Sequence, residues 1–229
     1  MMKVTFLGHS GFCVELPSVT LLFDWWKGEL PALRPGIPLL VFASHHHEDH
    51  FNPAIFSLDA AAFLLGKDIK RLHPERKGAA LEKCIFLGGN ETASPLPGIT
   101  VETLPSTDEG VAFLVAADEQ TIFHAGDLNW WHWEGEDSGW NRNMEVNFLR
   151  YTKPLQDRSI DLALLPLDPR LKENGFLGPK HILETVRIQH FIPMHQWMNF
   201  SFTARFLASY PVFAGKTIPV LKQGQVFEF

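Results

Sequence analysis

Seven consecutive residues, Ser44-His45-His46-His47-Glu48-Asp49-His50, concentrate ligand chemistry in one short stretch. Imidazole nitrogen and carboxylate oxygen are the donors that suit zinc, manganese or iron. His45 and His47 are two residues apart, so in an extended segment their rings point to the same side. Asp49 and His50 then turn toward a neighbouring position. Two pairs of ligands displaced by a turn can feed two adjacent ions. His46 and Glu48 fall on the other side of the loop and are not counted as ligands.

Such a stretch works only if rigid elements hold it. It follows the apolar run Leu39–Ala43, read as a buried strand, and precedes Asn52-Pro53, an N-cap and first-turn proline that open a helix. The ligands therefore sit on a loop at a strand's carboxyl end, where α/β folds place chemistry. Further strands are read at Lys3–Leu7, Phe12–Leu16, Thr20–Phe23, Ala60–Leu65, Lys83–Leu87, Ile99–Leu104, Val111–Ala116 and Thr121–Phe123. The second half alternates: helix Met144–Leu155, strand Asp161–Leu167, helix Pro179–Gln189, strand Phe191–Met194, helix Phe202–Tyr210. Stacked sheets covered by outer helices, in one domain over residues 1–229, is the simplest account.

Composition bounds the rest. A chain of 25.9 kDa is expected to expose about 10,500 Å² when compact, which leaves ample core without staples. Hydrophobic residues make up 45% and charged residues 20%, which excludes a disordered chain. No apolar run is long enough to span a bilayer, and Met1-Met2-Lys3 leads directly into an apolar strand rather than a signal segment. A soluble cytoplasmic protein is expected, with no membrane partner. The net charge of −6 argues against nucleic acid as a partner by general attraction, though a local basic patch is compatible with it. A small-molecule substrate is expected. Cys13 and Cys84 form neither a disulfide framework nor a zinc-finger spacing, and no disulfide is expected. The basic stretch Lys67–Lys77 reads as a solvated face. Oligomeric state is left open.

The pattern H-x-H-x-D-H in His45, His47, Asp49 and His50 resembles the signature of the metallo-β-lactamase superfamily. The resemblance runs nearly end to end. Gly8-His9-Ser10-Gly11-Phe12 and the strand-ending Asp24 look like its first two strands and first motif. His124-Ala125-Gly126-Asp127 looks like its Gly-Asp motif, whose aspartate bridges two metals. Ile192-Pro193-Met194-His195 looks like its last ligand motif. The branch of ascorbate-phosphate-lactonase-like metal-dependent hydrolases is the nearest in appearance, and the run Asp161–Pro166 also matches it. The resemblance implies a four-layer αβ/βα sandwich with the site on one edge.

It also implies metal ligands at His45, His47, Asp49, His50, Asp127 and His195, holding one or two divalent ions, zinc first, with manganese or iron as alternatives. One departure stands out. The superfamily usually carries a further histidine where this chain has Ser106-Thr107-Asp108-Glu109-Gly110, so Asp108, water or nothing takes that place. Asp24 is expected behind the metal, orienting a ligand, and His124 as a neighbour that hydrogen-bonds inside the site. Trp25 and Trp26, and Trp130, Trp131 and Trp133, leave strand ends beside these residues and either wall a pocket or pack beneath a loop; Trp130 is named for the pocket.

The function expected is a metal-dependent hydrolase. Two cations would lower the pKa of a shared water toward 7, and the hydroxide would attack a small ester, lactone or phosphoester. Asp49 would serve as both ligand and proton shuttle. The alternatives are a metal-binding protein without hydrolytic activity and an iron-based redox enzyme on the same fold.

Overall fold

The computed structural model describes residues 1–72 and 79–229. The chain begins with a meander and then crosses over. β1 (Lys3–Gly8), β2 (Gly11–Glu15) and β3 (Thr20–Phe23) pair antiparallel, and β4 (Leu39–Ala43), β5 (Ala62–Gly66) and β6 (Cys84–Leu87) extend the sheet in parallel. The second half repeats the scheme. β7 (Thr92–Ala93), β8 (Thr100–Pro105), β9 (Val111–Ala117) and β10 (Gln120–His124) are antiparallel, and β11 (Ser159–Pro166) and β12 (Arg187–Met194) follow in parallel. A last strand, β13 (Val226–Glu228), returns to pair with β1, Val4 opposite Phe227. The sheets run β13-β1-β2-β3-β4-β5-β6 and β12-β11-β10-β9-β8-β7.

Burial explains why the parallel strands read as unbroken apolar runs. In β4, Leu40 and Phe42 enter the core between the sheets, joined by Phe113 and Phe123 from the second sheet. Leu39, Val41 and Ala43 face outward under Phe51, Ile55 and Ile69. A strand covered on both faces has no polar side to alternate with. The helices α1 (Lys67–Leu72), α2 (Ser138–Thr152), α3 (Leu177–Thr185) and α4 (Phe202–Ser209) form the outer layers. Ile69 of α1 covers the first sheet, while α2 and α3 contact β8 and β11 of the second. The result is the αβ/βα sandwich. Accessible surface is 10,175 Å², close to the value expected for a compact chain of this mass. No helix among the described residues is long and apolar enough to cross a membrane.

Several boundaries differ from the sequence reading. The helix expected over Pro179–Gln189 ends at Thr185, and Arg187 already begins β12. The parallel ladder claims that segment, with Ile188 opposite Ile160 and His190 opposite Leu162. α2 starts six residues before the expected Met144, because Asp137 caps it by accepting from Trp140 N at 2.9 Å. The helix expected after Asn52 is a short 3₁₀ turn, Pro53–Ser57, capped by Asn52 as anticipated. β7 and β13 were not read from the sequence. In the basic stretch Lys67 pairs with Glu91, while Glu75, Arg76 and Lys77 lie outside the described residues. No disulfide joins Cys13 on β2 to Cys84 on β6.

Candidate metal centre

All candidate ligands leave strand ends at one edge of the sandwich. His9 lies in the β1–β2 turn, Asp24 ends β3 and residues 44–50 follow β4. Asp108 follows β8, Asp127 follows β10, Asp168 follows β11 and His195 follows β12. His9, Asp24 and His195 all carry positive φ, as do Trp197 and Met198. Backbone held there in non-glycine residues costs on the order of 1–3 kcal/mol each and persists where the surroundings over-determine it. Glycines permit the close approach of loops. A Cβ on Gly110 would lie 2.0 Å from Ser44 O, and one on Gly126 2.7 Å from Ser44 Cβ; both have positive φ. These two contacts bring the Asp108 and Asp127 loops onto the end of β4.

Eight of these side chains fall into two groups, each with ligand atoms within 4.8 Å of one another, and His46 falls in a third with Asp68 and Glu109. His9, Asp49, His50 and His195 form the first, and His45, His47, Asp108 and Asp127 the second. The divergence of His45 and His47 from Asp49 and His50 is therefore real. Asp127 lies between the groups. Its Oδ1 is 3.1 Å from His50 Nε2 and 3.4 Å from His195 Nε2, and its Oδ2 is 3.8 Å from His45 Nε2.

The far nitrogens of three rings are tied down by hydrogen bonds. His50 Nδ1 donates to Asp24 Oδ2 at 2.7 Å, and His195 Nδ1 donates to Asp168 Oδ2 at 2.9 Å. Ser44 Oγ donates to Asp24 Oδ2 at 2.7 Å and accepts from His45 Nδ1 at 2.9 Å. Asp24 Oδ1 also accepts from Ser44 N at 2.7 Å. These bonds place the Nδ1 proton on each ring and aim Nε2 inward. The Nε2 atoms of His9, His45, His50 and His195 and Oδ1 of Asp127 are all buried without a hydrogen-bond partner among the described residues. Buried polar atoms are normally satisfied, so five such atoms converging on one place make a donor set able to hold a cation.

Protonation follows from the same packing. Burial, reinforced by neighbouring rings, lowers His45 to about 3 and His9 to about 4, so both are neutral with a lone pair to offer. At His50 burial also opposes charge, but Asp127 and Asp24 outweigh it and raise the ring well above its ordinary value. A proton on His50 Nε2 and a cation beside it are thus alternatives. Burial works against ionisation of Asp127 and Asp49, yet the surrounding histidines hold both below the usual carboxylate range. Asp108 is pushed the other way, by burial and by the charge of Asp127.

Each remaining sequence candidate has a definite place. Asp24 is fully buried behind His50 and Ser44, one step from the ligand atoms. Asp108 Oδ2 lies 3.5 Å from His47 Nδ1, where the missing imidazole would be sought. His124 has no nitrogen to spare: Nε2 donates to Ser10 O at 2.8 Å, and Nδ1 accepts from Gly126 N at 3.1 Å. It shapes the Gly-Asp turn from below. Trp130 is a correction. Its ring packs on Phe148 and His181, against the core, and the pocket beside Asp108 and Asp127 is walled instead by Trp131, Trp133 and Trp140 with Met144. His46, set aside from the ligands, has its backbone N held by Asp68 Oδ2 at 2.7 Å.

Two participants escaped the sequence reading. His9 was given no place among the ligands, yet its Nε2 lies 3.2 Å from Asp49 Oδ2 and its ring sits 4.0 Å from that of His195. Asp168 was missed entirely. The one available signal was Asp168-Pro169 directly after an apolar strand, which marks both a cap and a strand end.

Comparison with known proteins places this chain in a family. Residues 3–132, more than half the chain, match the family model described as the β-lactamase superfamily domain, and the chain belongs to that superfamily. A UPF0173 metal-dependent hydrolase of Opitutus terrae is 32% identical over 226 aligned positions, covering 85% of this chain and 84% of the relative. Another, from Desulforamulus reducens, is 29% identical over 214 positions with the same coverage. The chain is therefore a member of the UPF0173 metal-dependent hydrolase family. Among solved structures, Igni18, a metallo hydrolase of Ignicoccus hospitalis, matches with a TM-score of 0.70 at 19% identity, covering 100% of this chain and 99% of that one. That likeness speaks to the fold alone.

Proposed function

We propose that this hydrolase cleaves a small ester, lactone or phosphoester, with residues 1–229 acting as one catalytic unit. His45, His47 and Asp127, with Asp108 in place of a third imidazole, would hold one divalent cation. Asp49, His50 and His195, with Asp127 shared, would hold a second. Zinc suits this set of nitrogen and oxygen donors best, and manganese and iron use the same donors. When bound, such ions acidify water toward neutral pH and polarise the scissile oxygen.

The chain's own residues do the rest. Asp24 and Asp168 fix the rings through Nδ1 so that each Nε2 stays aimed inward. Asp49 Oδ2, beside His9 Nε2 at 3.2 Å, is placed to take a proton from attacking water and pass it to the leaving oxygen. Trp131, Trp133 and Trp140 exclude solvent from the substrate side of Asp127.

The observation that carries this reading is the convergence of unpartnered buried Nε2 atoms around Asp127. The test is elemental analysis of purified protein combined with a panel of aryl esters, lactones and phosphodiesters. One to two transition ions per chain with turnover of one class supports the reading. Metal without any turnover, or iron with oxygen consumption, overturns it.

A further inference from the structure

The pocket beside Asp127 contains one positive group, Arg170, with Asp108, Asp127, the three tryptophans and Met144. Its volume of about 130 Å³ is near that of an engineered apolar cavity of roughly 150 Å³ that binds benzene. The Arg170 side chain is 44% exposed and anchored along one edge. Its Nε donates to Asp168 Oδ2 at 2.9 Å and its Nη2 to the same oxygen at 2.6 Å. Its guanidinium lies 4.6 Å from the ring of Trp197 and 5.4 Å from that of Trp133. Nη1, the remaining edge of the fork, has no hydrogen bond among the described residues.

A guanidinium paired at Nε and Nη2 has less freedom to lose when a ligand arrives, so its third nitrogen is a partly preorganised donor. With the guanidinium over the rings of Trp197 and Trp133, Nη1 meets a hydrogen-bonding partner through its N–H edge. We propose that Arg170 is a specificity-determining residue: Nη1 takes an anionic oxygen, carboxylate or phosphate, on a substrate whose compact apolar or aromatic part enters the tryptophan pocket. This rests on the hydrolase reading of the same site. It narrows the substrate to a small monoanion or dianion with one ring-sized apolar group, and it disfavours neutral esters and long polymers.

The proposal is tested by binding, which does not require turnover. Metal-loaded protein is titrated with benzoate, phenyl phosphate and the neutral benzamide, read by tryptophan fluorescence, for wild type, Arg170→Gln, Arg170→Lys and Trp140→Ala. Wild type is expected to bind at least one anion about 10- to 100-fold more tightly than benzamide, the scale of a hydrogen bond to a charged group. Whether benzoate or phenyl phosphate is preferred distinguishes carboxylate from phosphate. Arg170→Gln should abolish that preference while benzamide affinity and metal content stay unchanged. Arg170→Lys, which keeps the charge and loses the fork, should restore only part of it. Trp140→Ala should weaken anion and amide alike. Preference retained in Arg170→Gln would assign it to the metals and overturn the proposal. Loss of metal together with all ligands would make Arg170 a support for Asp168 and His195 only, and would also overturn it. A hydrolysis panel that fails while anion preference depends on Arg170 would count against the hydrolase reading and not against this site.

Discussion

The two ligand groups differ in how they are held. In the group of His9, Asp49, His50 and His195, the side chains of His9, His50 and His195 are at most 3% exposed, and two buried carboxylates lock the rings of His50 and His195 from behind. In the group of His45, His47, Asp108 and Asp127, His47 and Asp108 are each 41% exposed and face each other at 3.5 Å. Among the described residues His45 is held through Nδ1 by Ser44, and no carboxylate stands directly behind it as Asp24 and Asp168 stand behind His50 and His195. One position is built into the core and the other is closed by two side chains that solvent reaches. Orientation from behind raises metal affinity, so the buried position should hold its ion more tightly and the open one should exchange.

The largest effect should come from Asp127→Ala, which erases the difference by taking a ligand from both groups. Turnover should fall about a thousandfold or more, a barrier change of roughly 4 kcal/mol. Elemental analysis should find less than the wild-type metal content while circular dichroism remains native. Full metal content and full activity would show that the shared carboxylate is elsewhere. Asp168→Asn comes next and should act on the buried group alone, lowering affinity for one ion by about 10–100-fold, read by competition with a chelating dye. Asp24→Asn should act on both groups, because Asp24 serves His50 directly and His45 through Ser44. Asp108→Asn should be milder, with less than about a tenfold loss confined to the faster-exchanging ion, since a half-exposed carboxylate is partly replaced by water. If chelation instead strips both ions at one rate, the contrast between the groups is wrong.

The smallest effect repeats the comparison away from the metals. Burial pushes the Cys13 thiol up to about 12, whereas Cys84 is half-buried. Iodoacetamide at pH 8 should therefore modify Cys84 and spare Cys13 until the chain unfolds. The sign also fixes a stability trend. The unfolded chain ionises this thiol near 9 and the folded one near 12, so its contribution is complete below 9 and is lost as pH rises toward 12.

What was legible in the sequence follows the range of each interaction. The candidate ligands in residues 45–50 share one loop, and Asp127 and His195 each follow an apolar strand, so local pattern brings these residues into view. Asp168 acts on His195 from 27 residues away, and His9 meets it across 186 residues, distances at which no periodicity speaks. Trp130 and Trp131 are adjacent, and the turn after Asp127 sends one ring to the core and the next to the pocket. A choice between neighbours in irregular backbone depends on that turn's dihedrals, which composition does not encode. The two sheets and most strand limits were legible because strands buried on both faces leave long apolar runs.

The proposed ligands are drawn from both halves of the chain: His45, His47, Asp49 and His50 follow a strand of the first sheet, and Asp127 and His195 follow strands of the second. During synthesis the histidine cluster emerges before Asp127 and His195, so the growing chain offers an incomplete set of these donors until β12 has docked. Capture of a metal by the full proposed set would then follow the docking of β12. An ion taken up at that stage would act as a clasp between two halves that had already found each other, and a chain cut short before β12 would lack the means to close it.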